Sequence, residues 1–249
     1  PLRRQRQMCI RDSNETGVGV NSWWTFLNAR PGMWTTGGMI RYGLHGAVLS
    51  LNPVFSFSDL DWEVLNKIFD TLIKRNPYDF SEIPWIASDW TVGTWINPET
   101  GLNSTKLEFT LRNDVYFHDG VPLTSEDVNF TINYVKGFPD SVNYPKVMDV
   151  HHVETPNPYK IIVYMNVKSM WALHWIGELP ILPKHVYETI GDPHGYFPGG
   201  LPSEQVLVGS GPFKFVEHMT GDYTYLQANR LNEQLGPRID DLLIRTYLT

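Results

Sequence analysis

The stretch Phe109-Thr110-Leu111-Arg112-Asn113-Asp114-Val115-Tyr116-Phe117-His118-Asp119-Gly120-Val121-Pro122-Leu123-Thr124-Ser125-Glu126-Asp127-Val128 carries two periodicities joined by turn residues. From Lys106 to Arg112 the chain alternates, with Leu107, Phe109 and Leu111 on one face and Lys106, Glu108, Thr110 and Arg112 on the other. That period of two predicts a half-buried strand. Asn113-Asp114 turns it into Val115-Tyr116-Phe117, and His118-Asp119-Gly120 supplies a second turn. Thr124 with an acidic residue three positions on is the capping-box pattern, and it predicts a helix whose apolar stripe is Val128, Ile132 and Val135. A strand, two turns and a helix in so short a span make the chain α/β.

Upstream, Met39 to Gly43 reads as a short strand, followed by a loop closing at Leu51-Asn52-Pro53. A helix is predicted over Asp61 to Ile73 from the stripe Trp62, Leu65, Ile68, Phe69 and Leu72, with Ser58 or Asp59 as N-cap. Residues 78–101, broken by Pro84, Gly93 and Pro98, read as loop with one short strand near Trp90. Downstream, strands are predicted at Val147–Val153 and Tyr159–Met165, short helices at Ser169–Trp175 and Pro183–Ile190, and a loop over 191–202. A hairpin follows from Phe213–Met219 to Tyr223–Gln227, and a last strand covers Asp241–Tyr247.

The 249 residues are 42% hydrophobic and 19% charged, which excludes intrinsic disorder and collagen-like sequence. No apolar run reaches the length of a membrane span; the best, Trp171 to Leu182, is interrupted by His174, Glu178 and Pro180. A formal charge of -7 argues against generic nucleic-acid binding, and a single cysteine excludes an internal disulfide framework.

The basic start of the chain has no apolar h-region and no cleavage site, so it is not a secretory signal. Arg3 to Ser13 instead resembles the in-frame translation of a transposon-end sequencing adaptor. Residues 1–13 are therefore expected to be an artefact rather than a nucleic-acid-binding arm. That segment holds four arginines, one aspartate and Cys9, so residues 14–249 carry -10 and no cysteine. An acidic, cysteine-free chain suits an oxidising, extracytoplasmic location.

The succession of motifs resembles a family, the extracytoplasmic solute-binding proteins of ABC importers for oligopeptides, dipeptides and nickel complexes (family 5). The carrying residues begin with Ser50-Leu51-Asn52-Pro53, Trp62-Glu63-Val64-Leu65 with Ile68-Phe69-Asp70-Thr71-Leu72, and Ala87-Ser88-Asp89-Trp90. The quoted run Phe109–Val128 follows. Pro180-Ile181-Leu182-Pro183-Lys184-His185, Gly209-Ser210-Gly211-Pro212-Phe213 and Gly236-Pro237-Arg238-Ile239-Asp240 then come in family order. Ser210 and Phe213 stand where the family often has Thr and Tyr, and Asn229-Arg230 inverts its usual pair.

The resemblance implies a periplasmic-binding-protein-like type II fold, of which the chain is expected to be the N-terminal half, lobe I with an inserted subdomain. The expected division is an irregular lead-in at 14–35, a core subdomain of 36–69 plus 179–249, and an insert of 70–178. The second lobe and any lipid-anchor cysteine are expected to lie outside the chain. The implied function is capture of oligopeptides or dipeptides outside the membrane, as a monomer reaching the membrane only through a tether, and delivery to an ABC permease. The implied ligand contacts are Phe55, Ser56, Phe57, Ser58 and Asp59, with Tyr144 second in rank; no catalytic residue, cofactor or metal is expected.

Competing readings remain open. A secreted hydrolase would use Asp119 or Glu126, and His118-Asp119 would be its dyad, although sequence neighbours rarely face each other. His151-His152 invites a metal reading, but adjacent strand residues are expected on opposite faces. Oligosaccharide and nickel chelate are the alternative ligands. Trp62 is expected in the core, and Gly209, Gly211 and Pro212 are expected to allow a close backbone approach.

Overall fold

A computed structural model describes residues 37–196, 207–232 and 235–247. The expected lead-in and adaptor-like segment lie outside the described residues, as do residues 197–202 of the expected loop. The elements are β1 (Met39–His45), α1 (Asp59–Ile68), β2 (Ile73–Arg75), β3 (Glu82–Pro84), β4 (Ala87–Ile96), β5 (Asn103–Leu111), α2 (Ser125–Lys136), α3 (Tyr144–Val147), β6 (Val150–Asn157), β7 (Lys160–Met165), α4 (Ala172–Gly177), α5 (Lys184–Tyr187), β8 (Phe213–Met219), β9 (Tyr223–Ala228) and β10 (Asp241–Tyr247).

Two four-stranded sheets organise them. The first runs β1-β10-β9-β8, with β1 parallel to β10 and the other pairs antiparallel. Leu242 and Ile244 of β10 are buried, and with α1, Leu182 and Tyr187 they form one hydrophobic cluster. The second sheet, β4-β5-β7-β6, is fully antiparallel. Its buried face brings Leu107, Phe109, Ile161 and Val163 against Val128 and Ile132 of α2 in a second cluster spanning Leu72 to Ile181, to which Val208 and Leu235 also belong. Phe130 and Tyr134, also on α2, pack on the first cluster, so this helix serves both.

Several sequence expectations change. α1 stops at Ile68, not Ile73, because Phe69 is already extended. Gly211 N–H reaches the Ile68 carbonyl at 2.8 Å and Ile181 N–H reaches that of Asp70 at 3.0 Å, so tertiary donors replace the next helical turn. Gly209 and Gly211 allow this approach: a Cβ on either would lie 2.0 to 2.6 Å from backbone atoms of Lys67 or Ile68. Residues 87–96, read largely as loop, form a ten-residue strand paired with β5 along its length. Its side chains are mostly exposed, which hides the strand from hydrophobic periodicity. The expected strand start at Val147 is instead the end of α3, and β6 begins at Val150.

Candidate functional site

The loop before α1 is held by hydrogen bonds within itself and from distant segments of the chain. Asn52 Oδ1 accepts from Val54 N–H at 2.9 Å, while its amide donates to the carbonyls of Pro193 and Tyr196 at 2.8 and 3.0 Å. Asp61, buried inside α1, accepts from Leu49 N–H and Ser50 N–H at 2.7 and 3.2 Å. Ser58 caps the helix, taking Leu60 N–H at 3.2 Å. From the insert side, Ser141 Oγ donates to the Val54 carbonyl at 2.6 Å and Asn143 Nδ2 to that of Pro53 at 3.3 Å. Ser141 and Asn143, just ahead of Tyr144, thereby fasten their segment to the loop.

The candidate residues differ in what they offer. Phe57 is 71% exposed. Asp59 is exposed in the first turn of α1, and Tyr144 is half-buried at the start of α3. Ser56 is buried, and its Oγ donates to Ser50 O, its N–H to Asn52 O, and its carbonyl accepts from Trp62 Nε1. It supports the loop and presents nothing. Phe55 stacks on His194 with ring centroids 4.1 Å apart and meets Phe138 edge-on at 5.9 Å. His194 is held between two carboxylates, Nε2 to Asp140 Oδ2 at 2.7 Å and Nδ1 to Asp192 Oδ1 at 2.6 Å. Its hydrogen bonds to Asp140 and then Asp192 raise its pKa above the usual histidine value. Nothing local in the sequence joins Phe55 and Asp140 to His194; only Asp192-Pro193-His194, where Asp192 Oδ1 accepts from His194 N–H, is a nearby signal.

Beside the loop opens a cleft of about 690 Å³, whose lining includes Trp62, Lys67, Lys74, Arg75, Asn143 and Lys146. Trp62 is therefore not simply core: it packs partly on the first cluster and borders this cleft. Two of its lining residues, Asn143 and Trp62, also hydrogen bond the loop, to the carbonyls of Pro53 and Ser56.

His118 and Asp119 diverge. His118 Nε2 lies 3.0 Å from the Gly211 carbonyl, and its Nδ1 accepts from Gly209 N–H at 3.3 Å. Asp119 pairs with His185 at 2.6 Å, and no hydroxyl or thiol hydrogen bonds to His185 among the described residues. Glu126 accepts from Thr155 Oγ1 at 2.7 Å and lies 3.6 Å from Lys184. These groups cross-link elements: His118 reaches the Gly209–Gly211 segment, Asp119 reaches His185, and Glu126 reaches Thr155 and Lys184.

For His151 and His152 the expected opposite orientation is overturned. A register shift between Val150 and His152 brings both rings toward Trp95, at 5.1 and 5.6 Å, with their Nδ1 atoms 2.6 Å apart. Two tetrahedral zinc ligands would need about 3.3 Å between nitrogens, so one ring donates to the other instead. Among the described residues no group of three His, Cys, Asp or Glu is placed to hold a metal.

The two-sheet α/β arrangement is shared with solved solute-binding proteins. NikZ from Campylobacter jejuni, solved in complex with Ni(L-His), superposes with a TM-score of 0.68 at 24% identity over 84% of this chain and 39% of its own. The oligopeptide-binding protein AppA from Bacillus subtilis, solved with a nonapeptide, does so at 0.68 and 22% identity over 86% and 40%. In sequence, a Brucella ovis protein provisionally named as an ABC transporter peptide-binding protein is 26% identical over 86% of this chain and 38% of its own length. The fold is thus that of a periplasmic-binding-protein-like lobe. The family pattern described as "Bacterial extracellular solute-binding proteins, family 5 Middle" matches residues 82–247, and the chain belongs to that family. It spans well under half the length of the relatives it matches.

Proposed function

We propose that this chain is the ligand-receiving part of an ABC importer's extracytoplasmic receptor, which captures short peptides and hands them to the permease by closure between lobes. The observation that carries this reading is the loop Asn52–Asp59: its backbone is locked from both sides, yet it leaves Phe57 and Asp59 exposed. A rigid loop with an exposed aromatic ring suits a ligand gripped mainly by its backbone and by apolar contact. The names of the Brucella and Bacillus relatives favour peptide as the ligand. Among the described residues no helix is long and apolar enough to cross a membrane, consistent with contact through partners or a tether. The receptor acts as a monomer, and its reaction makes and breaks no covalent bond.

The expected division is a core subdomain, 36–69 with 179–249, and an insert of 70–178; the two hydrophobic clusters follow it in part, with Leu179, Ile181, Val208 and Leu235 of the core subdomain packing into the insert's cluster. In this reading the candidate loop belongs to the core and Tyr144 to the insert, so the ligand would touch both. Calorimetry of the complete gene product with di- to hexapeptides should give saturable heat. Silence with all of them, together with binding of an oligosaccharide or a nickel chelate, would reject peptide as the ligand class.

A further inference from the structure

His194 joins three segments that are distant in sequence. Its ring stacks on Phe55 of the candidate loop at 4.1 Å and meets Phe138 edge-on at 6.0 Å. Nδ1 lies 2.6 Å from Asp192 on its own turn, and Nε2 lies 2.7 Å from Asp140, in the link between α2 and α3. A carboxylate only accepts and a neutral imidazole has a single N–H, so two such bonds require both nitrogens to be protonated. The ring is therefore an imidazolium. Both carboxylates stay charged: hydrogen bonds from His194 hold them below their usual pKa, from the ring at Asp140 and from the backbone N–H, then the ring, at Asp192. The other titratable groups around the turn are Tyr134 of α2 and Tyr196, which burial pushes up to about 12, with the Asp192 charge adding to the effect at Tyr134. Neither changes charge near neutral pH. Both segments that the ring joins are already tied to the loop. Ser141 and Asn143, next to Asp140, donate to the Val54 and Pro53 carbonyls, and Pro193 and Tyr196, on either side of His194, accept from the Asn52 amide.

We propose that His194 is a pH-sensitive clasp between the insert and the candidate ligand loop, closed while its ring is an imidazolium and opened on the Asp140 side when the ring loses a proton. Asp192 sits on the same turn and also accepts the His194 backbone N–H at 3.0 Å, so the remaining ring N–H stays with it. The bare Nε2 then faces the Asp140 carboxylate, lone pair against lone pair, and the cation over the Phe55 ring is lost. The hydrogen bonds to Asp140 and then Asp192 raise the His194 pKa, so the clasp is closed below the ordinary histidine value and is lost as the pH rises through the raised one. The ring and both carboxylates are solvent-exposed, which lets the bulk pH act on them and keeps the effect modest. The clasp stands on this geometry alone; only its effect on ligand affinity rests on the receptor reading.

The test uses the complete gene product with carbon-13-labelled histidine, the His194 resonance being assigned by its loss in His194→Gln. Its titration midpoint should lie above about 6.5. His194→Arg keeps a charge and a fork of donors at every pH, whereas His194→Gln has neither the charge nor the second-side donor. Amide exchange at Val54 to Ser56 in the wild type should match His194→Arg at about pH 6 and speed up toward His194→Gln at about pH 8.5. Over the same interval the affinity of the wild type for a tetrapeptide with uncharged side chains should fall about threefold more than that of His194→Arg. A midpoint at or below the ordinary value, or exchange with the same pH dependence in the wild type and His194→Arg, would overturn the clasp. Should His194→Gln fail to fold, the comparison with His194→Arg still decides. Exchange that responds while affinity does not would overturn the link to the ligand. If the wild type binds no peptide at either pH, the receptor reading fails, and titration and exchange judge the clasp by themselves.

Discussion

His118 shows how one side chain can hold two distant segments in one protonation state. Gly209 N–H donates to Nδ1, so that nitrogen is bare, and Nε2–H must donate to the Gly211 carbonyl. Burial is the main cause of its pKa falling to about 4, with the nearby Lys214 charge adding to the effect against the Gly211 hydrogen bond and Asp119. The unfolded chain takes up this proton near pH 6.5, the folded one only near 4. Between those values the unfolded state binds more protons, so the stability contribution is full above about 6.5 and is lost as the pH falls toward 4, by about 3 kcal/mol at most. His118→Gln keeps an amide donor without the titration. Its denaturation midpoint should vary less between pH 4 and 6.5 than that of the wild type, and an identical pH slope would contradict this assignment. Nothing in the run Phe117-His118-Asp119-Gly120 announced that role: the turn was legible, but its partners lie some ninety residues away.

At the scale of elements, α2 depends on Asp127 more than on Thr124. One carboxylate oxygen takes Thr124 N–H at 2.9 Å, and the other takes Lys184 N–H, at the start of α5, at 3.1 Å. The same residue therefore caps α2 and fixes the start of α5. Asp127→Ala should destabilise the protein by about 2 to 3 kcal/mol in chemical denaturation, whereas Thr124→Ala should cost about 1. Comparable losses would mean that the tie to Lys184 contributes nothing. The capping box was readable because its residues are three apart, and β5, α2 and the β8–β9 hairpin were readable because their faces repeat locally. β4 was not, because an edge strand with mostly exposed side chains is defined by its hydrogen-bonded partner. Nor was the early end of α1 readable, where the stripe runs on through Leu72 but Gly211 N–H takes the Ile68 carbonyl.

For the whole molecule, the question is how firmly the insert is held to the loop that would meet the ligand. Ser141 and Asn143 supply that attachment through the carbonyls of Val54 and Pro53. The double variant Ser141→Ala/Asn143→Ala should retain the far-ultraviolet circular dichroism of the wild type while the amides of Val54 to Ser56 exchange with solvent at least tenfold faster. Unchanged exchange would show that Asn52 and Asp61 hold the loop unaided. Of the candidate contacts, Phe57 and Asp59 are exposed and Tyr144 is half-buried, while Ser56 is used internally, Ser58 caps α1, and Phe55 is engaged by His194.

The order of motifs, the period of the strands and helices and the caps are properties of neighbours along the chain, and they sufficed to place this protein in its family and to single out the loop after Pro53 as a candidate. Which groups meet was decided only in three dimensions. Lys146 beside Glu178, His194 between Asp140 and Asp192, and the paired rings of His151 and His152 arise from strand register, a bulge and crossings between the two cores. The reason is physical: periodicity reports which face of one element is apolar, whereas the partners of a buried charge depend on how separate elements pack together.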